Sequence, residues 1–234
     1  MTSAHMKTKL IIVTALAAAL GLVAVASASG AFVAIYRNAL ETTAQRSEIL
    51  KVAGQSCTRG GAQTSLKITV GKLTEECAYR TPVIGSDLEI AATGRIVSGT
   101  PPAVAKKAFL GMQLRVGGGT KLELRVFPAQ QKVQLVKVTE EGIHYLAIKK
   151  NVKAVQPGEK ANVLRLRVVS GAKEEAGICK IGGYLGGEQV IEASDETCAE
   201  MDGEMTALSA GAPNNGSGLI ASFEAIVVRT PVRF

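Results

Sequence analysis

The chain has 234 residues, 47% of them apolar but only 4% aromatic with no Trp, and it carries a formal net charge of +7. That is room for one ordinary domain and an accessory segment, and charged residues of both signs at 20% exclude a disordered chain. The positive charge is spread along the chain and aromatics are scarce, which excludes a nucleic-acid surface.

Residues 1–9 form a short tail with Lys7 and Lys9. Leu10 to Tyr36 is then a run of 27 residues without Asp, Glu, Lys or Arg. As a helix at about 1.5 Å per residue this run would reach about 40 Å, enough for a hydrocarbon core of roughly 30 Å. Residues 10–36 are therefore expected to be a transmembrane helix or uncleaved signal anchor, with residues 1–9 as a cytoplasmic tail because Lys7 and Lys9 sit on it. The competing reading is a cleavable signal peptide with a small-residue site at Ala24-Val25-Ala26 or Ala26-Ser27-Ala28. The apolar run continues past both sites through Ala31, Phe32, Val33, Ala34 and Ile35, and Tyr36 and Arg37 stand where interfacial anchors belong; this favours the anchor. Either reading exports the chain from Arg37 onward.

Residues 37–54 are expected to be a helical stalk, from the partial apolar stripe of Leu40, Ala44, Ser47 and Ile49-Leu50 set against Glu41, Gln45, Arg46 and Glu48. Residues 55–234 are expected to be an extracytoplasmic β-sandwich. Its four cysteines, Cys57, Cys77, Cys179 and Cys198, all lie beyond the apolar segment, where disulfides persist. Of three possible connectivities the sequence-local one is chosen, Cys57 with Cys77 and Cys179 with Cys198. Each bridge would close a loop of about 20 residues. No close cysteine pair or His companion supports a structural zinc site.

Short β-like runs separated by Gly, Pro and Asn fill the rest: Ser65–Val70, Asp87–Ile96, Phe109–Val116, Lys121–Phe127, Lys132–Val138, Ile143–Ile148, Asn162–Val169, Ile178–Leu185, Gln189–Ala193, Ala207–Ala212 and Ile220–Arg229. Many short strands at this spacing predict an all-β antiparallel sandwich. Apolar and charged residues alternate in Leu122-Glu123-Leu124-Arg125-Val126 and in Leu164-Arg165-Leu166-Arg167-Val168, the period of a strand. Gly117-Gly118-Gly119 supplies the turn that joins the first two members of a three-strand meander.

The Gly-rich hairpin (Leu114 to Val126), the turn Pro157-Gly158-Glu159-Lys160-Ala161-Asn162 before Leu164 to Val168, the Tyr184-to-Glu188 strand turn and the closing Ala221 to Val228 together resemble the laminin-G and concanavalin-like jelly-roll superfamily. The likeness spans roughly residues 85 to 234. The family's usual Asn-Gly turn and Phe-Asp pair are replaced by Gly186-Gly187 and Phe223-Glu224. The chain is also similar to bacterial envelope proteins that carry one N-terminal membrane helix and such a domain. The resemblance implies a jelly roll and a carbohydrate-related setting.

If the Gly-rich turn sets Arg115 opposite Lys121, then Gln113 faces Glu123, Arg125 faces Gln134 and Phe127 faces Lys132. Arg115, Lys121, Arg125, Phe127 and Lys132 then form a candidate binding face for an anionic polymer, since Arg holds carboxylate or phosphate bidentately. The structural alternative is a solvated sheet face on which Glu123 balances its neighbours. Seven acidic residues between Glu188 and Glu204 read as an exposed loop. Members of the superfamily bind calcium, but no cation-loop spacing is present. Glu192 and Asp195 as a glycosidase pair, and His144 as a catalytic base, have no supporting pattern.

The expectation is a membrane-anchored binding or structural module, with no cofactor, that recognises carbohydrate or an anionic envelope polymer. The alternatives are a glycoside-processing enzyme and a protein-interaction scaffold.

Overall fold

The computed structural model describes residues 31–51, 56–61, 64–171, 177–198, 201 and 205–232. Compactness divides the chain into Ala34–Thr230, which holds the sandwich, and a second unit of Met1–Val33 with Pro231–Phe234. In the second unit Val232 donates its backbone N–H to the Ala31 carbonyl at 2.7 Å.

The strands in chain order are β1 (Phe32–Asn38), β2 (Leu50–Lys51), β3 (Cys57–Gly60), β4 (Leu66–Val70), β5 (Glu76–Ile84), β6 (Leu88–Ile96), β7 (Phe109–Gly117), β8 (Thr120–Phe127), β9 (Lys132–Thr139), β10 (Gly142–Lys149), β11 (Asn162–Ser170), β12 (Cys179–Leu185), β13 (Glu188–Asp195), β14 (Met205–Gly211) and β15 (Ile220–Pro231). Two short helices, α1 (Thr43–Ser47) and α2 (Pro102–Ala105), lie between them. One sheet runs β13-β12-β11-β6-β15-β4-β3, with β1 added on β15; the other runs β10-β9-β8-β7-β14-β5-β2.

All eleven strands expected from alternation form, with ends shifted by two residues at most. Their inward residues make one core: Ile68, Ile90, Leu164, Leu166 and Phe223 from the eight-stranded sheet meet Leu110, Met112, Leu122, Leu124, Leu135 and Leu208 from the other. Burying each such side chain contributes about 1.5–3 kcal/mol. The β7-β8-β9 meander is present, and Gly118 and Gly119 both adopt positive φ in its first turn.

The stalk expected over 37–54 is not one helix. Residues 32–38 extend as β1, Asn38 donates to the Gln45 carbonyl, and the helix is limited to the five residues of α1, closed by a Thr42–Gln45 capping box. The stripe of Leu40 and Ile49 is real, but it serves the sandwich core, where both are fully buried. The end of the expected membrane span, residues 32–36, is likewise strand. The rest of that span lies outside the described residues, among which no helix is long and apolar enough to cross a membrane.

Both disulfides have the sequence-local pairing, Cys57–Cys77 and Cys179–Cys198. Two such bonds fit an oxidising, extracytoplasmic setting.

Candidate functional site

The register of the meander matches the expected one at three positions. Gln113 pairs with Glu123, Arg125 with Gln134 and Phe127 with Lys132. It departs at the fourth, because a bulge between Leu114 and Gly117 takes Arg115 out of line with Lys121. Arg115 adopts a positive φ of 53°, and its side chain turns into the protein. There Nη1 donates to the Cys198 carbonyl at 2.7 Å, Nη2 donates to Ser170 Oγ at 3.1 Å, and Asp87 lies at 3.7 Å. Burial lowers the Arg115 pKa while Asp87 and Asp195 oppose that shift. Arg115 is a buried strap and does not belong to an outward face.

The other candidates do share the outer face of the seven-stranded sheet, yet that face is closed by its own bonds. Glu123 Oε2 accepts from Arg125 Nε at 2.7 Å, and Glu123 Oε1 accepts from Gln113 Nε2 at 2.9 Å and from Ser209 Oγ. Glu76 reaches over from β5 to accept from Arg125 Nη2 at 3.1 Å, and also from Gln113 and Lys121. Gly111 makes room, since a Cβ there would collide with Ser209 Oγ and fall 2.6 Å from Glu123 Oε1. Phe127 is buried against Phe109 at 5.5 Å, the Arg125 guanidinium lies 4.6 Å from the Phe109 ring, and Lys132 Nζ sits 3.9 Å above the Phe127 ring.

Two carboxylates and two cations therefore satisfy one another. Burial pushes the Glu76 carboxyl upward, reinforced by the Glu123 charge. Burial acts the same way on Glu123, but Arg125, Lys121 and the hydrogen bonds from Gln113 and Ser209 outweigh it and hold that carboxyl below the usual carboxylate range. Burial disfavours the Arg125 charge, and Glu123 and Glu76 more than restore it. Glu192 and Asp195 have separate partners: Glu192 is exposed and bonded to Gln189, while Asp195 is buried and paired with Lys137 at 2.9 Å. Among the described residues no group of His, Cys, Asp and Glu could hold a metal ion.

The outer face of the eight-stranded sheet is different. The same register places Arg229 opposite Glu89, Glu89 opposite Arg167, Arg167 opposite Gly182, and Gly182 opposite Glu192, one row across five strands. Arg165 and Tyr184 pair in the adjacent row. Because Gly182 has no side chain, the Tyr184 ring lies over it; a Cβ there would meet the ring Cε2 at 2.9 Å and its hydroxyl at 3.0 Å. The Arg165 and Arg167 guanidinium carbons lie 4.1 and 5.2 Å from the ring centre. Beside the ring runs a surface groove of about 510 Å³, lined by Arg167, Lys180, Tyr184, Gln189, Glu192 and Ser194 among others. The alternation of Leu164 to Val168 and the turn at Tyr184 identify these strands in the sequence but assign them no site. The signal that could have done so is the Gly182-x-Tyr184 spacing beside the Arg165-x-Arg167 alternation; the register that aligns them is not local to either strand.

No family model matches the chain, and no curated protein matches it. Solved structures do. A galectin-like-fold protein of unknown function from Bacillus subtilis superposes with a TM-score of 0.61 at 12% identity, over 87% of this chain and 100% of its own. The chain shares this galectin-like fold, a jelly roll of two sheets. The carbohydrate-binding module CBM66 from Bacillus subtilis shares this jelly roll with a TM-score of 0.54 at 14% identity, over 78% of this chain and 96% of its own. A β-1,3-1,4-glucanase (lichenase) derived from a mouse hindgut metagenome does so at 0.56 and 13%, over 84% and 99%. Identities this low show the fold alone.

Proposed function

We propose that this chain is a carbohydrate-recognition module of the cell envelope, anchored by its N-terminal apolar segment, with residues 55–234 and the preceding strand β1 presented outside the membrane. The observation that carries this reading is the groove beside Tyr184. It combines an aromatic ring with the charged and amide groups of Lys180, Gln189 and Glu192 and the hydroxyl of Ser194, the mixture of apolar surface and directed hydrogen-bond groups that sugar rings require. The occurrence of the fold in a carbohydrate-binding module and in a glucanase supports the same direction. The outer face of the seven-stranded sheet is the weaker choice, since its charged groups are already paired with each other.

Binding of the full chain to a glycan array tests the reading. Retention of at least one glycan is expected, with a loss of about tenfold in Tyr184→Ala, the scale of one or two lost ring and hydrogen-bond contacts. Cooperative thermal unfolding should be retained, because the half-buried ring lies outside the hydrophobic core. An array on which nothing is retained overturns the reading.

A further inference from the structure

We infer that the outer face of the eight-stranded sheet takes an anionic polysaccharide, whose carboxylate or sulfate groups are held by Arg167, which lines the groove, and by Arg165 and Arg229, which meet it at Glu89; the inference rests on the carbohydrate reading of that groove. Three guanidinium groups converge on Glu89. Its Oε2 accepts from Arg167 Nε at 2.9 Å and Nη2 at 2.7 Å, its Oε1 accepts from Arg229 Nη1 at 2.6 Å, and Arg165 Nη1 lies at 3.6 Å. The carboxylate is 1% exposed, while the three arginine side chains remain 25–28% exposed.

A buried carboxylate needs a partner, and Arg167 on Oε2 and Arg229 on Oε1 already supply one to each oxygen. Arg165 stands two residues from Arg167 on β11 and Arg229 lies beyond β6 on β15, so one carboxylate faces three positive charges. The same protein shows the balanced alternative on its other sheet, where Glu76 and Glu123 face Lys121 and Arg125. Among the described residues, the Glu89 cluster has more cations than carboxylates at a place where ligand can reach them.

The arginines are also held for contact. Arg165 donates from Nη2 to the Gly187 carbonyl at 3.0 Å and stacks on Tyr184, and Arg167 is fixed by its two bonds to Glu89. A guanidinium stacked on a ring keeps its N–H edge for an anion, and one that is already ordered loses little freedom on binding. Glu89 is thus a positioning residue, and the arginines are the contacts.

Two polymer pairs test this with the full chain: polygalacturonate against its fully methyl-esterified form, and dextran sulfate against dextran. Stronger binding to either charged member, by about tenfold or more, and weakening with added salt, are the expected results. Arg165→Gln combined with Arg229→Gln should abolish that preference while Glu89 keeps Arg167. The wild-type comparison needs no variant, so a variant that fails to fold leaves the test intact. Equal binding of charged and neutral members overturns the inference and leaves the carbohydrate reading standing. Absence of binding to these polymers together with an empty glycan array overturns both.

Discussion

Glu123 faces away from the core on a strand whose alternation is regular, and it is nevertheless almost completely buried, at 1% exposure. Its depressed pKa makes it a source of pH-dependent stability. A carboxyl whose native pKa lies below its unfolded value of about 4.3 stabilises the fold fully above that value, and the contribution is lost as pH falls toward the native pKa. Glu76 has the opposite sign. Its raised native pKa stabilises below the ordinary carboxylate range and loses that contribution as pH climbs through the raised value. Urea midpoints should therefore show Glu123→Gln losing most relative to wild type near neutral pH and least in acid, while Glu76→Gln gains relative to wild type as pH rises. Parallel pH profiles for the two variants would contradict the arrangement. Glu123→Ala takes the acceptor from Arg125 Nε and Ser209 Oγ in a buried setting, leaving Arg125 and Gln113 with Glu76, and should cost about 3–5 kcal/mol, read from denaturant unfolding.

At the scale of elements, the β7–β8 hairpin shows how one bulge reassigns a residue. The alternation of Gln113 and Arg115 places both on one face. The bulge turns Arg115 inward to the Cys198 carbonyl and Ser170, and so joins the seven-stranded sheet to the loop stapled by Cys179–Cys198. Cys57–Cys77 links β3 of one sheet to β5 of the other. A bridge closing a loop of this length contributes about 3 kcal/mol, which in a domain of this size is about 6–12 °C of melting temperature. Calorimetry of Cys57→Ser with Cys77→Ser should show a fall in that range, and an unchanged transition would mean that the sheets hold together without the staple. The four described strands absent from the sequence expectation, β1, β2, β3 and β5, were hidden by local features. β2 and β3 are two and four residues long, β1 lies in a run apolar enough for a membrane, and β5 carries Pro82, tolerated because β2 bonds β5 only at Tyr79 and Arg80.

For the whole molecule, two sheets enclose one core and present two outer faces of unlike electrostatics. One is internally neutralised; the other gathers arginines around a single glutamate. The proposed anchor makes its own prediction, that the full chain expressed with its N-terminus sediments with membranes and stays there after a high-salt wash, with the sandwich open to protease from the outer side. Release by salt would mean that the apolar segment does not hold it.

Alternation and turn residues act over a few residues, so the chain alone marked eleven of the strands and the meander with three of its four expected pairings; among the three cysteine connectivities open to the sequence, the structure has the local one. What an outward face meets is decided elsewhere in the chain. Ser209 reaches Glu123 from 86 residues away, and Arg229 reaches Glu89 from 140. Those distances are closed only when β14 and β15 enter their sheets. Charge pairing falls off over a few ångströms, so which carboxylate each arginine meets depends on the tertiary register: Arg115 meets Asp87, Arg125 meets Glu123 and Glu76, and Arg165, Arg167 and Arg229 meet Glu89.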